Sequence, residues 1–285
     1  MIAGRWAWGC AVTLVLVSSA ACAASASQTA SQASDRPVVD PSTEARALRL
    51  PFDAYKRTET DIGLIERAVD ILTSQCLQKR GYSRSTLPLV TVIEAPNRRR
   101  YGVIEPLVAE KAGYHAPLTT AEKERDRADR ARGGYRDAVE RSAANNCLDD
   151  SMRRVYVDGS DSPLLTRLER EIFEQTRTKD LHVRATVDKW RSCMRTRGQK
   201  EYADPLAAAA DDRWKDPGSA KAETATAVAD VACKEETGLV EVWRGAEEKL
   251  QAAALKQHPA DFDQLRQTLD KERAEATRIV QSTKP

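Results

Sequence analysis

The sequence has few aromatic residues and almost no excess of charge of one sign. Aromatic side chains make up 5% of the 285 residues, whereas 31% are charged, a composition typical of surface-rich helices rather than strands. The 45 basic residues nearly balance the 43 acidic ones, so no overall field gathers a polyanion and we expect no nucleic-acid partner. The 41% hydrophobic content allows a packed core. These features predict an all-α protein.

Histidine is equally scarce, and the motifs that mark common active sites are missing from the sequence. The three histidines, His115, His182 and His258, have no histidine or cysteine neighbour at metal-ligand spacing. The sequence contains no C-x-x-C, H-E-x-x-H, G-x-S-x-G or P-loop motif. We therefore assign no catalytic residue, and we expect no metal site and no cofactor.

A long apolar run occurs at the N-terminus, from about Trp6 to Val17. At roughly a dozen residues it is shorter than the ~20 apolar residues that span a bilayer. A single Arg precedes it and small residues follow it, the order typical of a secretory signal. We therefore predict that residues 1–22 are a signal peptide and that the chain is exported.

The end of this segment, SSAAC, is similar to a bacterial lipobox, in which the cysteine is acylated. Cys22 would be the acylated residue, although Ser19 stands where a lipobox usually has Leu. Ala21 and Ala23 also form an A-x-A site for ordinary signal peptidase. We favour a lipoprotein, with palmitate or a similar acyl chain on Cys22, and keep a freely secreted product as the alternative.

Residues 23–48 are rich in Ala, Ser, Gln and Thr at their start. Such a stretch has little to bury and is typical of a flexible linker. We predict a tether that separates the folded part of the chain from the membrane.

Six cysteines are present, of which Cys10 and Cys22 lie in the predicted signal peptide. An even number of remaining cysteines in an exported chain predicts two disulfides, and four cysteines allow three pairings. The stretches CLQKRG and CMRTRG look like equivalent helix ends in two halves of the chain. Duplicated halves would favour sequential pairing, Cys76 with Cys147 and Cys193 with Cys233.

Helical periodicity supports this division. Apolar residues recur at spacings of three and four before each repeated cysteine, at Ile62, Ile65, Val69 and Leu72 and again at Val183, Val187 and Trp190. We predict helical hairpins in two disulfide-stapled halves, residues 49–160 and 161–285. The β-branched stretches at residues 87–95 and 153–159 are expected to be extended connectors, with a short β-ribbon as the alternative.

Two features are candidate binding residues. Arg98, Arg99 and Arg100 form the one concentrated basic spot, which would suit an anionic headgroup, a wall polymer or an acidic partner. Trp214 lies in a predicted connector, where its ring could stack on a ligand.

The chain resembles uncharacterised exported proteins and lipoproteins of high-GC actinobacteria. The resemblance rests on SSAAC, the C-x3-RG helix ends, RRRYGVIEPLVAEKAGYHAP and AVADVACKEETGLVEVW, which together span most of the mature chain. It implies an extracytoplasmic location and no established activity.

Our leading hypothesis is a non-enzymatic interaction protein at the outer face of the cytoplasmic membrane, attached through its N-terminal lipid. Its partner would be an envelope protein or a cell-wall component. The alternative is a binding module for cell-wall glycan or a small envelope ligand, and the third hypothesis is an enzyme on an unfamiliar helical scaffold.

Overall fold

The computed structural model of the protein describes residues 36–88 and 95–283. Of these residues 72% are helical and none forms a strand, which confirms the predicted all-α class. The eleven α-helices of the described residues are α1 (Thr43–Ala47), α2 (Glu59–Lys79), α3 (Pro106–Ala112), α4 (Thr120–Arg132), α5 (Ala138–Val155), α6 (Pro163–Lys179), α7 (Leu181–Thr196), α8 (Pro205–Ala209), α9 (Ala220–Thr237), α10 (Leu239–Gln257) and α11 (Pro259–Ser282). Short 3-10 helices lie at Pro51–Tyr55, Asp212–Lys215 and Pro217–Ser219.

Capping residues determine where several helices begin and end. The hydroxyl of Thr58 accepts a hydrogen bond from the backbone N–H of Asp61, whose carboxylate accepts one from the N–H of Thr58 in return. Thr119 and Glu122 form the same capping box at the start of α4. Gly238 has a φ of 65°, which ends α9 and lets the chain turn directly into α10.

Helices that are distant in sequence pack against one another. α2 packs against α5 and α11, α9 against α3 and α7, and α10 against α6 and α7. α11 and α2 share an apolar cluster that includes Ala276, Ile279 and Ile65. The described residues from Pro37 onward form one compact unit, so the predicted boundary at residue 160 does not separate two bodies.

The largest apolar cluster, which we call the tryptophan core, surrounds Trp190 on α7 and Trp243 on α10. Both rings are fully buried, and Trp243 stacks on Phe173 with a centroid distance of 5.4 Å. The predicted apolar stripe of α7 contributes Val183 and Val187 to the same cluster. Burial of one such side chain stabilises the fold by about 1.5–3 kcal/mol.

Both predicted disulfides are present. Cys76 on α2 is joined to Cys147 on α5, and Cys193 on α7 is joined to Cys233 on α9, with Cα–Cα distances of 5.7 and 5.6 Å. Each disulfide therefore links two helices that pack directly against each other. The two disulfides favour an extracytoplasmic location for the protein.

The predicted tether, residues 23–48, does not hold for its second half. Residues 23–35 lie outside the described part, but residues 37–48 pack on the helical body, with Val39, Ala45 and Leu48 buried. The backbone N–H of Val39 donates to the carbonyl of Leu118 at 2.8 Å. The prediction was wrong for this stretch because its composition is polar only at the start, and three apolar side chains at its end find a surface to cover.

No β-ribbon is found in the described residues. Residues 153–155 form the last turn of α5, and one isolated parallel bridge joins Val38 to Leu118. The other expected connector, residues 87–95, falls largely on residues 89–94, outside the described part. Within residues 36–88 and 95–283, no helix combines the length and the apolar character needed to cross a bilayer.

Candidate functional site

The arginines predicted as a surface binding spot are structural. We call residues 97–100 the arginine loop. Arg98 has a side chain only 2% exposed, is paired with Glu105 and donates to the carbonyl of Val39 at 3.0 Å. Arg99 donates to the backbone carbonyls of Tyr114 and His115. These bonds attach the N-terminal segment and the end of α3 to the loop.

Arg100 connects the same loop to the helical body. Its guanidinium binds Glu247 of α10 through Nε at 2.8 Å and Glu169 of α6 through Nη1 at 3.2 Å. Burial raises the pKa of Glu247 and, by itself, would lower the pKa of Arg100. The ion pair between the two side chains opposes both shifts. Arg98 and Arg100 are therefore neutralised inside the fold by Glu105 and Glu247 instead of forming an open basic spot.

Trp214 is also buried rather than available to a ligand. Its side chain is 5% exposed, and its indole N–H donates to the carbonyl of Ala208 at 2.7 Å. The ring stacks on Tyr114 with a centroid distance of 5.9 Å. The connector in which it lies folds back on α8 and brings the ring into the tryptophan core. The other predicted site residue, Cys22, lies outside the described part.

A cluster of charges lies within the tryptophan core. Lys234 donates to Asp230 at 2.8 Å and to the carbonyl of Val103 at 2.7 Å, and the indole of Trp190 donates to Asp230 at 2.9 Å. Burial raises the pKa of Asp230 and lowers that of Lys234. Both side chains are at most 2% exposed, so this pair is a structural element closed to ligands.

An open cleft lies between α2 and α5, and we call it the α2–α5 cleft. Its volume is about 270 Å³. One wall consists of Ala144, Leu148 and Met152, which are spaced by four residues and therefore lie on one face of α5. Leu148 and Met152 are 40% and 42% exposed. Apolar side chains of this size stay exposed at a cost, so a cleft lined by them is a candidate binding surface.

The opposite side of the cleft is polar. Arg125 of α4 is paired with Glu66 of α2, and Nη1 of Arg132 lies 2.8 Å from a carboxylate oxygen of Asp70. Arg84, in the loop after α2, lies over the ring of Tyr135 with 4.7 Å to the centroid. Three arginines therefore face the carboxylates of Glu66 and Asp70, and Asp129 beside Arg132 balances the third positive charge.

The packing of α4 explains how these charges come together. Arg132 also donates to the carbonyl of Ser85 at 3.3 Å and lies 2.7 Å from the carboxylate of Asp129. No residue of α4 is buried, so ion pairs rather than apolar contacts hold this helix over α2. A helix attached in this way leaves space beneath it.

The sequence analysis did not identify this cleft. The charged run of α4 has the balanced composition of an ordinary solvated helix face, and its partners on α2 come from an apolar stripe with interspersed carboxylates. One signal was present: Leu148 and Met152 lie one and five residues after Cys147, beside the face that buries the disulfide, and such residues are unusual on a solvated face.

Among the residues described, no group of three or more His, Cys, Asp or Glu side chains is arranged to hold a metal ion. Comparison of the chain with protein-family models, with curated proteins and with solved structures found no match in any of the three. The function must therefore be argued from the cleft and the sequence.

Proposed function

We propose that this protein is an exported, lipid-tethered and non-enzymatic interaction protein of the cell envelope, and that its partner docks in the α2–α5 cleft. The observation that carries this proposal is the exposed apolar pair Leu148 and Met152 at an open cleft whose other side carries three arginines. An apolar centre with polar groups around it is the usual composition of a docking surface. The disulfides support the exported location.

The lipid anchor is a separate part of the proposal and rests on the sequence SSAAC. Metabolic labelling with an alkyne analogue of palmitate is expected to label the wild-type protein and to leave the Cys22→Ser variant unlabelled. The protein should also fractionate with membranes. An unlabelled protein recovered from the culture medium would instead support the freely secreted product.

Docking in the cleft can be tested by photo-crosslinking in cells. A photoreactive amino acid at position 152 is expected to form one discrete adduct with an envelope component. Position 139 is a matched control, because Val139 is 69% exposed on the same helix and lies on nearly the opposite face. Equal labelling from both positions, or none from position 152, would contradict docking in this cleft.

The glycan-binding alternative is favoured by the rings that border the cleft. Tyr135 and Tyr156 both line it, and aromatic faces are suitable for stacking on sugars. A thermal-shift screen with peptidoglycan fragments would support this alternative if a fragment raised the melting temperature of the wild type but not of a Tyr135→Ala variant.

The third hypothesis, an enzyme, would use Glu66 and Asp70 as its acid and base. These carboxylates lie one helical turn apart in the cleft. Their oxygens are engaged by Arg125, by Arg132 and by the backbone N–H of Leu87. We therefore propose a role in binding for the cleft.

A further inference from the structure

The arginines of the α2–α5 cleft have donors left over after their internal contacts. Arg132 has a side chain only 12% exposed, and its Nε is buried without a hydrogen-bond partner. Leaving a buried donor unpaired is unfavourable. An anionic oxygen bound at this nitrogen would recover that cost.

Arg84 offers a second set of donors. Its Nη1 donates to the carbonyl of Gly133 at a long 3.3 Å, and its Nη2 lies 3.8 Å from Asp129. The ring of Tyr135 covers one face of the guanidinium, and the two contacts at its edge are long enough for a ligand carboxylate to replace them. Guanidinium edges bind carboxylates with paired hydrogen bonds, the geometry that makes such contacts strong and selective.

The α5 wall provides the apolar complement. Leu148 and Met152 line the same cleft as the two arginines, and together they provide a flexible surface for one aliphatic side chain. Methionine adapts readily to different apolar partners. The ligand chemistry that fits both sides is a carboxylate next to an apolar group.

We propose that the α2–α5 cleft binds the carboxyl terminus of a partner polypeptide whose last residue is apolar. The terminal carboxylate accepts hydrogen bonds from Arg132 and Arg84, and the last side chain packs on Leu148 and Met152. This inference rests on the proposed function, since it names the chemistry of the docked partner.

The size of the cleft favours a chain end over an internal acidic residue. Its 270 Å³ is below the ~300–1,000 Å³ of sites for drug-sized ligands. An internal residue would need space for the chain to enter and to leave, whereas a terminus enters from one side. A terminus also brings its carboxylate and its last side chain within one residue of each other.

The test is peptide binding to the full chain with both disulfides oxidised. The probes are the acetylated tetrapeptide Gly-Gly-Ala-Leu as the free acid, the same peptide as the carboxamide, and acetyl-Gly-Asp-Leu-Gly carboxamide, which carries an internal acid. We expect the free acid to bind at least about tenfold more tightly than either amide in isothermal titration, since a charge-assisted hydrogen bond contributes about 1.5–3 kcal/mol.

Variants locate the binding. Arg84→Gln and Arg132→Gln are each expected to weaken binding of the free acid about tenfold, and Leu148→Ser about fivefold. Arg127→Gln is the matched control, because Arg127 is an exposed arginine of α4 that does not line the cleft. Arg132 also binds Asp70, so the Arg84 variant keeps the test valid if Arg132→Gln fails to fold.

Three outcomes would overturn the inference: equal affinity for acid and amide, equal loss in the Arg127 and Arg84 variants, or no binding of the free acid at millimolar concentration. A discrete adduct from position 152 without peptide binding would leave the proposed function intact and reject only the chemistry proposed here.

Discussion

The tryptophan core and the α2–α5 region each contain one disulfide, yet their interiors are filled differently. In the tryptophan core, apolar side chains close over the charged pair of Asp230 and Lys234 and exclude ligands. In the α2–α5 region, α4 is attached by arginines and has no buried residue, so the space between the helices stays open as a cleft. The difference shows that charges held under a continuous apolar layer are closed to solvent, whereas charges that replace this layer leave an open surface.

The largest effect should come from breaking the buried pair of the tryptophan core. Asp230→Ala leaves the ammonium of Lys234 buried without its carboxylate, and we expect a loss of about 3–5 kcal/mol in the free energy of unfolding. Urea denaturation followed by circular dichroism would measure it. The control is Asp212→Ala, because the Asp212–Lys215 pair is 87% and 81% exposed and should contribute almost nothing to stability. An equal loss of unfolding free energy in the two variants would mean that the Asp230–Lys234 pair is open to solvent.

The disulfides should come next in size. They span 71 and 40 residues, and loop closure predicts that replacing either pair by alanine costs about 4 kcal/mol. Hydrogen exchange should separate the two regions, because each disulfide joins helices that pack together. Loss of Cys76–Cys147 should expose the amides of α2 and α5 while α7 and α9 stay protected. Uniform loss of protection would argue against two distinct regions.

Two methionines provide a matched pair for the comparison. Met194 of the tryptophan core is 2% exposed, whereas Met152 of the cleft is 42% exposed. Met194→Ala should cost about 3 kcal/mol because it leaves a cavity. Met152→Ala should change stability by less than about 0.5 kcal/mol. Thermal and urea denaturation of both variants would check this, and a cost above 2 kcal/mol at Met152 would mean that the cleft is a closed part of the core.

The smallest effect concerns pH and the attachment of α2. Burial alone would raise the pKa of Asp61, but hydrogen bonds from Arg273 and from Thr58 outweigh burial and lower it to about 2. A lowered folded-state pKa stabilises the protein above the unfolded value of about 4, and this contribution disappears as the pH falls from about 4 to about 2. Because Arg273 is 45% exposed, solvent screens the pair and we expect about 1 kcal/mol.

Asp61→Asn tests this prediction. The variant should be about 1 kcal/mol less stable than the wild type at pH 6 and nearly equal to it at pH 2. Asp270→Asn removes an exposed partner of the same arginine and should change stability little at either pH. A constant difference between Asp61→Asn and wild type across this range would show that Asp61 acts through packing rather than charge.

Much of the helical fold could be predicted from the sequence. The stripes that end in Trp190 and Leu72 follow from the 3.6-residue period, and the disulfide pairs follow from the even cysteine count and the repeated helix ends. The helical period depends on near neighbours in the chain, and the disulfide pairing depends on the number of cysteines and on a repeated motif. Both can therefore be predicted without knowing which helices pack together. The arrangement of helices could not be predicted, because the contact of α11 with α2 depends on apolar faces more than 200 residues apart.

The candidate site shows the same limit. Arg98 and Arg100 looked like a basic surface spot because their partners, Glu105 and Glu247, cannot be identified among 43 acidic residues without the fold. Arg132 looked like part of a solvated helix although its side chain is almost buried. An ion pair depends on the distance between two side chains, and the tertiary structure determines that distance.

The sequence by itself determined the helical class and the two disulfides, because the first depends on near neighbours in the chain and the second on the number of thiols. The tertiary structure alone decided which charges are buried and which line a cleft. The physical reason is that the cost of a charge depends on whether an opposite charge or water is within reach, and packing between distant helices decides both.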